Sequence, residues 1–276
     1  MIDTLVLSGG GPSGVAYAGI LKALTDYDIL KRNELKCIIT TSVGIIFSIL
    51  YLLDYTIGQI EKIVLETDLT KLLNIDDLEI DDLLLKFGLF NNQPIGDSIS
   101  SFIRHKTSKN DLTLKELYDL SSIILIVKVY NVDKGKTEYI NYKNNPDIGL
   151  IKLSMMTTAI PYFFQPVEYN DNFYVDGGLK GHFPIEECKS KHYLGLNVRG
   201  GTTNRNNFGI LKYLPILKFT IDLMNDRDNN ISHEDKKVFT YHINGGLNFS
   251  LDIDERKKMI EKGYNETIDY LKSMNN

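Results

Sequence analysis

The chain has no tryptophan, only two cysteines, no clustered block of lysine or arginine, and no apolar run long enough to cross a bilayer. Each absence narrows the reading, except the first, which excludes nothing about chemistry. Cys37 sits in an apolar, strand-like run and Cys188 follows a glutamate pair. Neither has metal-ligand spacing around it, so both are expected as free thiols of a reducing compartment and no metal site is expected. A net charge of -5 and a pI near 5.6 leave no basic face for nucleic acid and disfavour a strongly anionic membrane. The longest apolar stretch runs from Val43 to Leu53 and is ended by Asp54. That is well short of the roughly 20 residues that span a membrane, so it reads as a buried helix with no transmembrane segment. The first residues carry no basic segment and reach a glycine-rich turn almost at once, which leaves no room for a signal peptide. A cytoplasmic or otherwise intracellular location is the expectation.

What is present begins with that turn, Gly9-Gly10-Gly11-Pro12-Ser13-Gly14. It follows the apolar run Leu5-Val6-Leu7 and precedes a helix-like stretch from Val15 to Leu24. Three consecutive glycines leave the backbone N–H groups bare, and the helix behind adds partial positive charge, so the turn suits a negative ligand. Two occupants fit: a nucleotide phosphate, or an oxygen that becomes negative only during acyl transfer.

At 276 residues with 43% apolar content, the chain supports one large α/β domain spanning 1–276. Strand-like runs at 4–8, 36–41, 123–131, 138–142, 193–198 and 238–243 alternate with helical patterns. That alternation predicts a mostly parallel central sheet flanked by helices. The region between Thr56 and Leu120 reads as a helical insert. Within it Leu72, Leu73, Ile75, Leu78, Leu83, Leu84, Phe87 and Phe90 accompany Asp76, Asp77, Glu79, Asp81 and Asp82. An acidic surface helix with its leucines inward is preferred there to a lid. The polar stretch 197–207, with Gly200-Gly201, reads as a surface connection. Ile260, Tyr264, Ile268 and Leu271 fall at helical spacing as a core stripe, with Asp252 or Asp254 as N-cap.

The second strand, Cys37-Ile38-Ile39, runs into Thr40-Thr41-Ser42-Val43-Gly44 and then into an apolar helix. Strand, sharp turn with serine at its tip, and buried helix is the context of a nucleophile elbow. A serine hydroxyl needs a base to take its proton, and the oxyanion that follows needs fixed donors. The glycine turn offers the donors. Phe173-Tyr174-Val175-Asp176-Gly177-Gly178 offers the base, a carboxylate delivered at a strand end with glycines beside it. Among the five histidines (His105, His182, His192, His233, His242), His182 alone lies close to this motif.

Gly9–Gly14, Thr40–Gly44, the segment from Ala159 to Pro166 (Ala-Ile-Pro-Tyr-Phe-Phe-Gln-Pro) and Asp176-Gly177-Gly178 occur in one order that resembles the patatin-like phospholipases. The resemblance covers most of the first 190 residues. The remainder, 191–276, is expected to complete the sheet and add the C-terminal helix. The resemblance implies a three-layer α/β/α fold and lipid acyl hydrolysis by a Ser–Asp dyad. On it, Ser42 attacks an ester carbonyl after giving its proton to Asp176, and Gly9, Gly10, Gly11 and Gly14 belong to the oxyanion hole. Thr40, Thr41, Val43 and Gly44 form the elbow around Ser42, Gly177 and Gly178 flank the base, and no metal or organic cofactor is required. It further implies glycerophospholipids or related esters as substrates, met by transient, peripheral contact with a lipid surface. Three positions depart from the pattern. Thr40 replaces the first elbow glycine, Ser13 stands where a basic residue is common, and His182 where asparagine is frequent.

Three other readings compete. Gly9-x-Gly11-x-x-Gly14 also fits a dinucleotide fingerprint, but the second strand lacks a terminal acid for the ribose. A non-catalytic lipid-binding or effector protein would explain Thr40 and Ser13. A triad with His182 between Ser42 and Asp176 would follow from the chain order.

Overall fold

The computed structural model describes residues 2–73, 85–200, 237–243 and 248–274. Its strands are β1 (Thr4–Leu7), β2 (Cys37–Thr41), β3 (Gly88–Phe90), β4 (Ile124–Asn131), β5 (Lys136–Ile140), β6 (Tyr162–Phe164), β7 (Val167–Tyr169), β8 (Asn172–Asp176), β9 (Tyr193–Gly200) and β10 (Val238–Ile243). The helices are α1 (Ala16–Asp26), α2 (Gly44–Leu52), α3 (Ile57–Glu66), α4 (Gln93–Thr107), α5 (Leu114–Ser121), α6 (Leu150–Thr158) and α7 (Ile253–Met274).

The central sheet has the order β10-β9-β1-β2-β4-β8-β7, with β5 also paired to β4. β10, β9, β1, β2 and β4 run parallel, whereas β5, β8 and β7 join antiparallel. The expected mixed α/β fold with a central sheet flanked by helices is what forms. Its antiparallel edge comes from two tight connections. Asn170 and Asp171 both take positive φ (49° and 57°) between β7 and β8, the two-residue turn whose twist suits a hairpin. Gly135, at φ 61°, does similar service between β4 and β5.

Some boundaries move. The expected strand 138–142 begins at Lys136 and ends at Ile140, and the region read as a helical insert also contains β3, which pairs with β6 in a separate two-stranded ribbon. Phe90 is buried there against Phe163 and Phe164, so tertiary packing outweighs local pattern over three residues. Ile75, Leu78, Leu83, Leu84 and the five acids from Asp76 to Asp82 lie outside the described residues, as do residues 201–207 of the expected surface connection.

Period-two alternation divides the sheet's two faces. Leu5, Leu7 and Ile38 enter the main core with the helices, whereas Val6 and Ile39 point the other way, onto Phe183. The C-terminal helix packs on α1 so closely that a Cβ on Gly19 would lie 1.9 Å from the Ile260 carbonyl oxygen, and one on Gly263 2.8 Å from that of Ala16. The buried stripe of α7 accordingly runs through Met259, Ile260, Gly263, Thr267 and Leu271, while Tyr264 and Ile268 are only half-buried. Asp252 and Glu255 exchange hydrogen bonds at its start, as a capping box requires. Among the described residues, no helix is long and apolar enough to cross a membrane.

Candidate active site

β2 lies inside the sheet between β1 and β4, and its last residue, Thr41, pairs with Lys128. The chain then reverses at Ser42, whose φ of +50° is left-handed. For a non-glycine residue this conformation costs on the order of 1–3 kcal/mol and persists only where neighbours hold it. Here the Ser42 N–H donates to Thr157 Oγ1 (2.9 Å), and the Thr157 hydroxyl donates to the Lys128 carbonyl oxygen (2.7 Å). The Thr41 hydroxyl donates to the same carbonyl at 3.3 Å. With its backbone so held, Ser42 directs its Oγ to Asp176, donating to Oδ2 at 2.6 Å.

Asp176 ends β8, beside Val129 of β4. Its second oxygen, Oδ1, accepts the Gly178 N–H at 2.7 Å. Gly177 allows the chain to turn against β4, since a Cβ there would lie 2.4 Å from the Lys128 carbonyl oxygen. Burial pushes the Asp176 carboxyl up to about 6, against the hydrogen bonds from Ser42 and Gly178 and the positive fields of Lys128 and His182, which pull it down. A carboxylate so placed is nearer in basicity to the task of taking a serine proton than an exposed one.

The glycine turn meets the elbow directly. A Cβ on Gly9 would lie 3.0 Å from the Ser42 Cβ, and one on Gly14 2.8 Å from Val43 Cγ2. These glycines let two backbones approach. Gly9 differs from expectation, because its N–H donates to the His182 carbonyl oxygen at 2.7 Å and is therefore spent. The N–H groups of Gly10, Gly11 and Val43 have no hydrogen-bond partner among the described residues. Gly11 holds φ at +52°, a conformation glycine adopts without steric cost.

Thr40 finds its room at Gly44. A Cβ on Gly44 would lie 2.3 Å from Thr40 Oγ1 and 2.9 Å from the Ser8 carbonyl oxygen. The space that the first elbow glycine would have left is thus supplied by the second. The Thr40 hydroxyl is fully buried and makes no hydrogen bond, a loss of about 1–3 kcal/mol against a satisfied or absent polar group. Thr40→Val is therefore expected to raise the melting temperature, by about 2–4 °C per kcal/mol regained, as measured by calorimetry.

His182 does not stand between Ser42 and Asp176, which touch directly; its Nε2 lies 2.9 Å from Asn197 Oδ1 on β9. His105, His192 and His242 are exposed, and His233 lies outside the described residues. No group of three or more histidine, cysteine, aspartate or glutamate side chains is placed to hold a metal among the described residues. Cys37 and Cys188 are both free.

Two participants were not expected from sequence. Thr157 carries no signal, because it meets Ser42 from 115 positions away. Lys128 does carry one, as a lone charge in the otherwise apolar strand from Ile124 to Val129.

Beside the serine, a groove enclosing about 920 Å³, part of it open to solvent, has Gly11, Ser42 and Val43 in its wall. Ile46, Phe47, Leu50, Val64, Phe102 and Phe164 are among its apolar lining residues.

The Patatin-like phospholipase family model matches residues 5–189. The chain belongs to this family. The patatin-like region thus contains the glycine turn, the elbow and the Asp176 motif, while β9 and β10 lie beyond it in the same sheet. Over 189 residues the chain is 34% identical to a protein of Invertebrate iridescent virus 6 named "Probable lipid hydrolase 463L", covering 68% of this chain. That match spans 64% of the viral protein, less than two thirds of its length. An uncharacterized protein of Acanthamoeba polyphaga mimivirus is 28% identical over 95% of this chain and 91% of its own. Among solved structures, VipD from Legionella pneumophila shares the fold, with a TM-score of 0.67 at 18% identity, covering 99% of this chain and 67% of that one.

Proposed function

We propose that this patatin-like chain is a single-domain lipid acyl hydrolase of the phospholipase A type, with Ser42 as nucleophile and Asp176 as its base. The 2.6 Å hydrogen bond from Ser42 to Asp176, at the wall of an apolar groove, carries this reading. In the first step Asp176 takes the hydroxyl proton as Oγ bonds to the ester carbonyl carbon, giving a tetrahedral oxyanion. Protonated Asp176 then gives that proton to the departing alkoxide as the carbon–oxygen bond breaks. Water, deprotonated by Asp176, releases the fatty acid from the acyl-serine.

The oxyanion needs donors that are not already committed, and the bare N–H groups of Gly10, Gly11 and Val43 meet that requirement. One such donor is worth about 2.7–4 kcal/mol of barrier. Gly9, Gly14 and Gly44 serve by admitting the close approach of turn and elbow. His182 remains an accessory group whose field favours the ionised base. The apolar groove suits an acyl chain, and glycerophospholipids or related lipid esters, met peripherally at a lipid surface, are the proposed substrates. The chemistry calls for no metal or organic cofactor. The name carried by the iridescent-virus relative is consistent with this assignment.

The test is covalent labelling with a fluorophosphonate, together with a lipid-class hydrolysis panel. Wild type is expected to take the label and release fatty acid, and Ser42→Ala to do neither. Equal behaviour of the two proteins sinks the hydrolase reading and leaves a non-catalytic lipid-binding role.

A further inference from the structure

The strand between the serine and the aspartate carries a buried lysine for which the acyl-transfer steps have no use. Lys128, 1% exposed, is paired across the sheet with Thr41 on one side, and its neighbour Val129 is paired with Asp176 on the other. Its carbonyl oxygen receives both hydroxyls that support the elbow, those of Thr157 and Thr41. Its ammonium passes to the other end of the site. There Nζ donates to the carbonyl oxygens of Lys180 (2.9 Å) and Gly181 (2.7 Å), and to Glu186 Oε1 (2.7 Å). Those carbonyls belong to the segment that begins at Asp176 and Gly177 and ends at Phe183, under the sheet.

We propose that Lys128 is a positioning residue that sets the Ser42–Asp176 contact, its carbonyl holding the elbow and its ammonium clamping the loop behind the base. The inference rests on the hydrolase reading only for its kinetic arm. Burying an ammonium is costly unless it is paired and hydrogen-bonded. Two carbonyls and Glu186 meet that need, and a hydrocarbon side chain would meet the packing without it. A cation held at this point, neutralised in part by the half-exposed Glu186, is useful where a carboxylate next door must be both placed and kept ionisable.

The charged and titratable groups facing Asp176 are Ser42 from the elbow, Lys128 from β4 and His182 from the following segment. Those facing Lys128 are Asp176 and Glu186, and Glu186 also accepts a hydrogen bond from Tyr139 of β5. The signs follow from this arrangement. Removing the Lys128 charge disfavours ionised Asp176, so the acid limb of kcat/KM moves to higher pH. Removing the Glu186 charge leaves Lys128 less neutralised, so the limb moves to lower pH.

The experiment compares wild type, Lys128→Met and Glu186→Gln on a short-chain acyl ester across pH, with melting temperatures measured over the same range. Lys128→Met is expected to lower kcat about 10- to 100-fold with little change in KM, and to raise the acid limb on the order of one pH unit. Glu186 is half exposed, so Glu186→Gln folds readily and gives the opposite displacement. Limbs left at the wild-type position, or displaced in one direction by both variants, overturn the proposal. The melting curves carry an arm independent of catalysis. The part of the pH dependence that Asp176→Asn abolishes must be displaced in Lys128→Met as well. If that displacement appears while Ser42→Ala and wild type hydrolyse nothing, the hydrolase reading fails and the role of Lys128 stands.

Discussion

Asp176→Asn is expected to lower kcat by on the order of 10²–10⁴ and at the same time to raise the melting temperature at pH 7.5 by several degrees. The two effects have one cause. Asp176 is buried beside Ser42, and burial pushes it from 3.8 up to about 6. The folded protein therefore binds a proton more tightly than the unfolded chain does. That favourable contribution is complete below about pH 4 and is lost as pH rises through about 6. Above it, keeping the carboxylate ionised in the fold costs about 3 kcal/mol. Asparagine removes the ionisation while retaining an oxygen for the Gly178 N–H and an amide for Ser42, whose hydroxyl then turns to accept. Calorimetry of both proteins from pH 4 to 8 should show their stabilities diverging upward through pH 6 and nearly converging at pH 4. In wild type, kcat/KM should fall below about pH 6 as Asp176 takes its proton. A variant that loses activity without gaining stability at neutral pH would contradict this account of the carboxylate.

Gly44→Ala should be among the most damaging single methyl groups at the site. Its Cβ would meet Thr40 Oγ1 at 2.3 Å, the Ser8 carbonyl oxygen at 2.9 Å and Leu7 Cβ at 3.2 Å. Leu7 ends β1 and Ser8 follows it into the glycine turn, so relief requires the Ser42 turn and the glycine turn to separate. Overpacking of this kind costs about 1–3 kcal/mol, and a displacement near 1 Å at a reacting group costs about 10² in rate. Thr40→Gly in the same chain removes the closest contact but leaves the Ser8 carbonyl. The double variant should regain much of the stability and only part of the rate. Thermal melts together with single-turnover kinetics separate the two.

The legible parts of this protein were those whose physical cause is local. A turn of bare glycines behind an apolar strand announces close backbone approach wherever it occurs. Strand, Ser42 and apolar helix in succession announce an elbow, because few other arrangements put a serine between a buried strand and a buried helix. The hairpin at Asn170-Asp171 was equally local. Its signal lay in two residues that tolerate positive φ, though the periodic reading passed over it. β3 was not legible, for three residues have no period of their own and Phe90 becomes strand only against Phe163 and Phe164.

The fate of individual donors lay further out of reach. Nothing near Gly9 in sequence reveals that its N–H is taken by His182, or that Thr157 holds the amide of Ser42. The sequence by itself determined the α/β alternation, the order of the family motifs and the residue types available for acyl transfer, since each follows from neighbouring side chains and backbone preference. Tertiary structure alone decided which glycine N–H groups stay free, where Thr40 finds its space, and how Lys128 comes to lie on the strand between β2 and β8. Those outcomes depend on contacts between separate segments of the chain, Gly9 with His182, Gly44 with Ser8, and Lys128 with Thr41 and Glu186. They are set only when strands β2, β4 and β8 are hydrogen-bonded side by side.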